Sequence, residues 1–141
     1  MSDTYASVVL GGDARNAEFL GVMVAWLVTN HLIAPNLESR AGRTVARVRM
    51  QDMTGAGFLT TELDGELRPT HLSEEGQRFV EAYFLSGQFR SDFDAAEFDG
   101  DDEWERYDRV APSISAAFRK FRAPAEKPST MGKILQFPRR K

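Results

Sequence analysis

The sequence predicts a mainly α protein: a single domain of about five helices packed around one central apolar helix, with room for one short N-terminal strand. Three observations carry this. Phe19 to Val28 is a run of about ten residues, continued by Leu32, that is apolar on nearly every side, as a fully enclosed helix must be. Ser73-Glu74-Glu75 and Thr54 read as helix starts, a hydroxyl cap followed in the first case by acids that favour the positive end of the helix. Val110, Ile114, Ala117, Phe118 and Phe121 recur on one helical face, with Arg119, Lys120 and Arg122 pointing away from it.

The chain of 141 residues suits one domain with a tail. The spacing divides it into an N-terminal arm over 1–13, a helical domain over 14–122 and a basic tail over 123–141, which composition marks as disordered. In the arm, Tyr5 to Leu10 can form a short strand that Gly11-Gly12 breaks, and Asp13 caps the helix that follows. The central helix runs from about Ala14 to His31 or Ile33, and Pro35 stops it. Leu37, Ala41, Val45 and Val48 sit at helical spacing. Ala46 to Met50 also alternates like a strand, but the longer window favours helix. Phe58 and Leu59 lie on a short helix capped by Thr54, and Asp64-Gly65 is a turn signal. Phe79, Val80, Tyr83 and Phe84 stripe the helix after Ser73. Phe89, Phe93 and Phe98 then recur in an acidic background, as a further short helix or an anchored loop. Pro112 suits the first turn of the last helix.

Composition excludes several chemistries. With no cysteine there is no disulfide, thiolate metal site or thiol nucleophile, which is compatible with a reducing cytoplasm. The longest apolar run falls well short of the roughly 20 residues of a membrane span. The N-terminus lacks the basic flank of a signal peptide, so a cytoplasmic protein is expected. His31 and His71, the two histidines, are placed for capping or solvation rather than catalysis. Thr54-Gly55-Ala56-Gly57 lacks the lysine of a phosphate-binding loop. Neither a cofactor nor a catalytic residue is predicted.

The net charge of −3 hides a sharp asymmetry: residues 1–61 balance, 62–108 carry a net −11, and 109–141 a net +8. Asp92 and Asp94 begin like a calcium loop, but Ala96 occupies the third ligand position and Glu97 the required glycine. A solvated acidic face is expected instead, with no metal. Asp92, Asp94, Asp99, Asp101, Asp102, Glu103, Trp104 and Tyr107 are the residues predicted to meet a protein with a basic surface, because aromatic residues among charges suit interaction hot spots. The alternative is that both rings close the core while the carboxylates face water. Reversal of Asp99, Asp101, Asp102 and Glu103 to lysine tests that face. The tail, with Ile134-Leu135-Gln136-Phe137 between bases, offers a second partner, nucleic acid.

Gly21-Val22-Met23-Val24-Ala25-Trp26-Leu27 resembles the opening helix of a small bacterial domain family of unknown function. The later pieces follow in the same order: Met53-Thr54-Gly55 with Phe58-Leu59, Asp64-Gly65-Glu66-Leu67, Leu72-Ser73-Glu74-Glu75-Gly76, and Trp104-Glu105-Arg106-Tyr107-Asp108-Arg109-Val110-Ala111-Pro112. The resemblance covers about residues 20–122 and brings no catalytic residues with it. By analogy it implies an immunity-like or accessory protein. The reading is therefore a non-enzymatic protein-binding module using an acidic face. The alternatives are a regulator that binds nucleic acid through its tail, and an enzyme with an unrecognised carboxylate site.

Overall fold

A computed structural model describes residues 4–7, 14–98, 100 and 102–126. Strand β1 (Ala6–Ser7) is followed by helices α1 (Ala14–Thr29), α2 (Pro35–Arg40), α3 (Gly42–Arg49) and α4 (Gly55–Glu62). Strand β2 (Glu66–Leu67), a 3-10 turn (Pro69–His71), and helices α5 (Glu74–Tyr83), α6 (Gln88–Ala95) and α7 (Glu103–Glu126) complete the order. The protein is mainly α, as its pattern predicts. β1 and β2 pair antiparallel, Ala6 opposite Leu67 and Ser7 opposite Glu66. The expected Asp13 cap and the Ile134–Phe137 segment lie outside the described residues.

Every residue of α1 from Leu20 to Val28 is buried, so no face of the helix is left for water. It packs most extensively on α4, then on α7 and α3. The contact with α4 is backbone to backbone. A Cβ on Gly55 would fall inside the carbonyl of Gly21, and a Cβ on Gly21 inside the amide of Ala56. Two glycines thus let the helices approach closer than side chains permit. Around this pair the aromatic rings close in: Trp26 against Phe79 and Phe118, each at 5.3 Å, and Phe79 stacked on Tyr83 at 5.1 Å.

Local chemistry sets the ends of the elements. The Thr54 hydroxyl accepts from the amide of Gly57 at 3.0 Å and that of Ser73 from Gly76 at 3.1 Å, so both predicted caps form. Leu37 to Val48 is helical, but broken at Ala41 into α2 and α3. That break and the separate α6 raise the count to seven α-helices among the described residues, where about five were expected.

Two proline expectations are corrected. Pro35 does not stop α1. The helix ends at Thr29 because His31 takes a left-handed conformation, φ 62°. In that arrangement Leu32 N–H donates to Leu27 O at 3.0 Å and His31 N–H to Val28 O at 3.3 Å, satisfying the last carbonyls. Pro35 instead opens α2, where its missing N–H costs nothing. Pro112 does not open α7 either. That helix starts at Glu103, and Pro112 lies in its interior on the exposed side. There, water can reach the carbonyl of Asp108 that the proline leaves without its helical donor. The helix also runs past the expected start of the tail, through Ala123 to Glu126.

The two histidines have local duties. His31 is exposed at the α1 terminus. His71 Nδ1 accepts from the amide of Arg68 at 3.1 Å, and its carbonyl accepts from Ala34 at 2.9 Å, tying the 3-10 turn to the segment after α1. Arg49 fastens α3 to the same end of α1. Its Nε donates to Val28 O at 3.0 Å, while its two terminal nitrogens reach both oxygens of Glu38.

Candidate functional site: the acidic corner of α6 and α7

Gly87, in the left-handed region at φ 93°, turns the chain from α5 into α6. Phe89 on α6 is fully buried and Phe93 is half-buried; both pack on Phe19 of α1, with ring centroids 4.8 and 4.9 Å away. Arg90 lies over the Phe19 ring, its guanidinium carbon 3.7 Å from the ring centre. After Ala95 the chain passes Glu97, in the left-handed region at φ 50°, and Phe98 before entering α7. Asp102 starts that helix: its Oδ1 accepts from the amide of Trp104 at 2.9 Å. Glu103 and Glu105 follow in the first turn, where the helix dipole favours negative charge.

Arg106 is the centre of the corner. Its guanidinium sits 5.0 Å from the centres of both the Phe93 and Phe98 rings. Its Nε lies 3.0 Å from Glu18 Oε1 of α1, an ion-pair contact out of line for a hydrogen bond. Arg109 covers the Phe98 ring at 5.3 Å. Phe93, Asp94, Glu97, Phe98 and Arg106 together line a cleft of about 380 Å³.

Glu103 does something different from its acidic neighbours. Its side chain turns inward, and Oε2 accepts from the amide of Ala56 at 3.0 Å, at the N-terminus of α4. Burial pushes its carboxyl up to about 7; the amides of Ala56 and Gly55 pull the other way, while Glu18 and Asp102 add to the rise.

The residues predicted to form a recognition face thus divide. Asp94 and Asp102 are exposed. Asp92 is half-buried and accepts from the Tyr83 hydroxyl at 2.7 Å. Burial first, and that carboxylate second, raise the tyrosine above its usual ionisation range. Tyr107 is buried, 8% exposed, and Trp104 is half-buried, edge-on to it at 4.9 Å. The Trp104 indole N–H has no hydrogen-bond partner. Asp99 and Asp101 lie outside the described residues. Among the described residues no three histidine or carboxylate groups come together as a metal site, and no helix is long and apolar enough to cross a membrane.

Glu97, Glu105 and Asp108 are also exposed here and were not singled out from the sequence. Nor was Glu18, which lies outside the acidic stretch and reaches the corner only through packing of α1 on α7. One signal for the Glu103 contact is visible in hindsight. Gly55-Ala56-Gly57 opens a helix with small residues, and such a start leaves amides open to a carboxylate from elsewhere.

No curated protein matches this chain, and neither does any solved structure. One family profile does: the domain of unknown function DUF7832 matches residues 13–108, which run from the start of α1 through the acidic corner and stop before the basic segment. The chain therefore belongs to the DUF7832 family, a small family of unknown function.

Proposed function

We propose that this protein is a non-enzymatic, cytoplasmic protein-binding module whose acidic corner meets a basic surface on its partner, in the manner of an immunity or accessory protein. One observation carries the reading. Asp94, Glu97, Asp102, Glu105 and Asp108 stand exposed around the α6–α7 turn, against two exposed bases, Arg90 and Arg109, while Arg106 is turned inward onto Glu18 and the phenylalanine rings. Arg90 reaches Asp94 only at 3.9 Å, an exposed pair worth little. A surface left net negative accelerates encounter with an opposite charge, and a few central groups then hold the complex. Trp104 and Phe98, both half-buried at the corner, supply apolar contact area beside the charge. The family match encloses this corner, whereas the basic residues 109–141 fall beyond it.

Asp102 caps α7 and Glu103 seats on α4, so reversing either confounds recognition with folding. The cleaner test reverses Asp94, Glu97, Glu105 and Asp108 to lysine. Association with the partner recovered from the native host should slow by about tenfold or more at low salt, in the range electrostatic steering supplies. That difference should shrink at physiological ionic strength, where charges are screened over about 8 Å. Equal association rates for the two proteins at low salt would sink the acidic-face reading.

Removing residues 127–141 separates the corner from the tail. They hold five bases, two prolines and no acid, and their removal takes away none of the described α7 residues, Glu103–Glu126. The melting temperature should stay within about 2 °C of the full chain, as a change of a few tenths of a kcal/mol implies. Partner binding should persist. Salt-sensitive nucleic-acid binding that vanishes on this deletion would favour the tail as the functional element instead.

A further inference from the structure

We propose that the seat of Glu103 on the N-terminus of α4 is a proton-operated latch: with its carboxyl protonated, the first turn of α7 is clamped to the α1–α4 pair, and loss of the proton loosens the clamp. The geometry supports a latch because one side chain bridges three helices. Glu103 leaves α7, its Oε2 meets the amide of Ala56 on α4 at 3.0 Å, and it passes where α1 carries no side chain. A Cβ on Gly21 would come within 2.8 Å of that oxygen. The same turn of α7 carries Asp102, Trp104 and Glu105, so the clamp also sets how firmly the acidic corner is held.

The groups facing this carboxyl oppose its charge more than they favour it. From α1 comes Glu18. From α7 come Asp102 and Arg106, the latter engaged by Glu18. The first turn of α4, Gly55 to Phe58, offers only its amides and no titratable side chain. Those amides and the helix dipole favour the anion, but burial and the two neighbouring carboxylates outweigh them, leaving the carboxyl at about 7 against an ordinary 4.5. A neutral carboxyl still accepts from Ala56 through one oxygen and keeps an O–H to donate. Because the seated form holds its proton to higher pH than the opened form, opening releases a proton across that interval. The clamp is therefore firmest below the ordinary value, and weakens as pH rises towards 7. Above that both forms are ionised and the effect levels off.

Global melting mixes this with an opposing titration. Burial first, then Arg68 and Arg40, hold the His71 imidazole below its ordinary range. The unfolded chain therefore takes up that proton first, and stability falls as pH drops below about 6.5. The latch is better read locally, in the full-length protein, from hydrogen exchange at the Ala56 amide corrected for intrinsic rate. Protection should fall by up to about tenfold per pH unit between pH 5 and 7 and then flatten, the slope expected for release of one proton. Glu103→Gln keeps an acceptor for Ala56 without the titration, and its protection should be independent of pH over this range. The Glu103 carboxyl carbon, followed by NMR in the unaltered protein, should titrate with a midpoint near 7. A midpoint in the ordinary carboxylate range overturns the proposal, and so does a glutamine variant that keeps the slope. If the variant does not fold, the carboxyl titration decides alone.

Discussion

Trp26→Ala should lower stability by about 3–5 kcal/mol, the range for truncating a large buried aromatic side chain. For a domain whose total stability is on the order of 5–15 kcal/mol, that removes a large share of it, and the melting temperature should drop by about 10 °C or more. The reason is position. Trp26 is 1% exposed, in the last turn of α1, with Phe79 and Phe118 against its ring. Its indole N–H donates to the Ser115 hydroxyl of α7 at 3.0 Å. Alanine would leave a cavity between α1, α5 and α7 and take the partner from Ser115. Trp26→Phe keeps a ring but loses the N–H and some volume, so its cost should be smaller. A thermal melt in which Trp26→Ala is as stable as the parent would refute the central role of α1.

Gly55→Ala should also destabilise, by about 1–3 kcal/mol, the usual cost of forcing extra volume into a packed site. Helix propensity alone predicts a gain of up to about 1 kcal/mol, so the sign is a test of the packing. The new Cβ would overlap the Gly21 carbonyl oxygen and sit 2.6 Å from the carbonyl carbon. Both belong to the backbone of a buried helix and cannot swing aside, so α1 and α4 would have to separate. Gly42→Ala is the control. Nothing lies within 4 Å of a Cβ there, and removing glycine's extra freedom in the unfolded chain should hold or raise stability. Denaturant midpoints of the two variants moving in the same direction would contradict the close contact of α1 and α4.

By itself the sequence determined what depends on neighbours along the chain. The apolar-all-round run marked α1 as the enclosed helix, because such a surface has nowhere else to go. Thr54 and Ser73 announced the starts of α4 and α5, because a cap bonds amides only three residues on. A family of unknown function was expected, and one matches residues 13–108. Local signals misled where two local rules competed. Proline at 35 reads equally as a helix stop or a first-turn residue, and a left-handed histidine had already ended α1. Pro112 was placed in a first turn, yet Asp102 caps α7 three turns earlier and the helix runs through.

Only the tertiary structure decided what each charge in the acidic stretch does, because a one-dimensional count gives every carboxylate the same weight. Asp92 is bound to Tyr83, Asp102 caps a helix, and Glu103 is folded against α4. Asp94, Glu97, Glu105 and Asp108 are left facing solvent. Glu18 and Gly21 lie more than eighty residues before Glu103, and no spacing rule links them. They meet because two glycines let α1 and α4 touch through their backbones, and the Glu103 carboxyl of α7 reaches the Ala56 amide beside that contact. Side-chain charge is written in the sequence; its solvation, and so its ionisation, is set by what the fold packs around it.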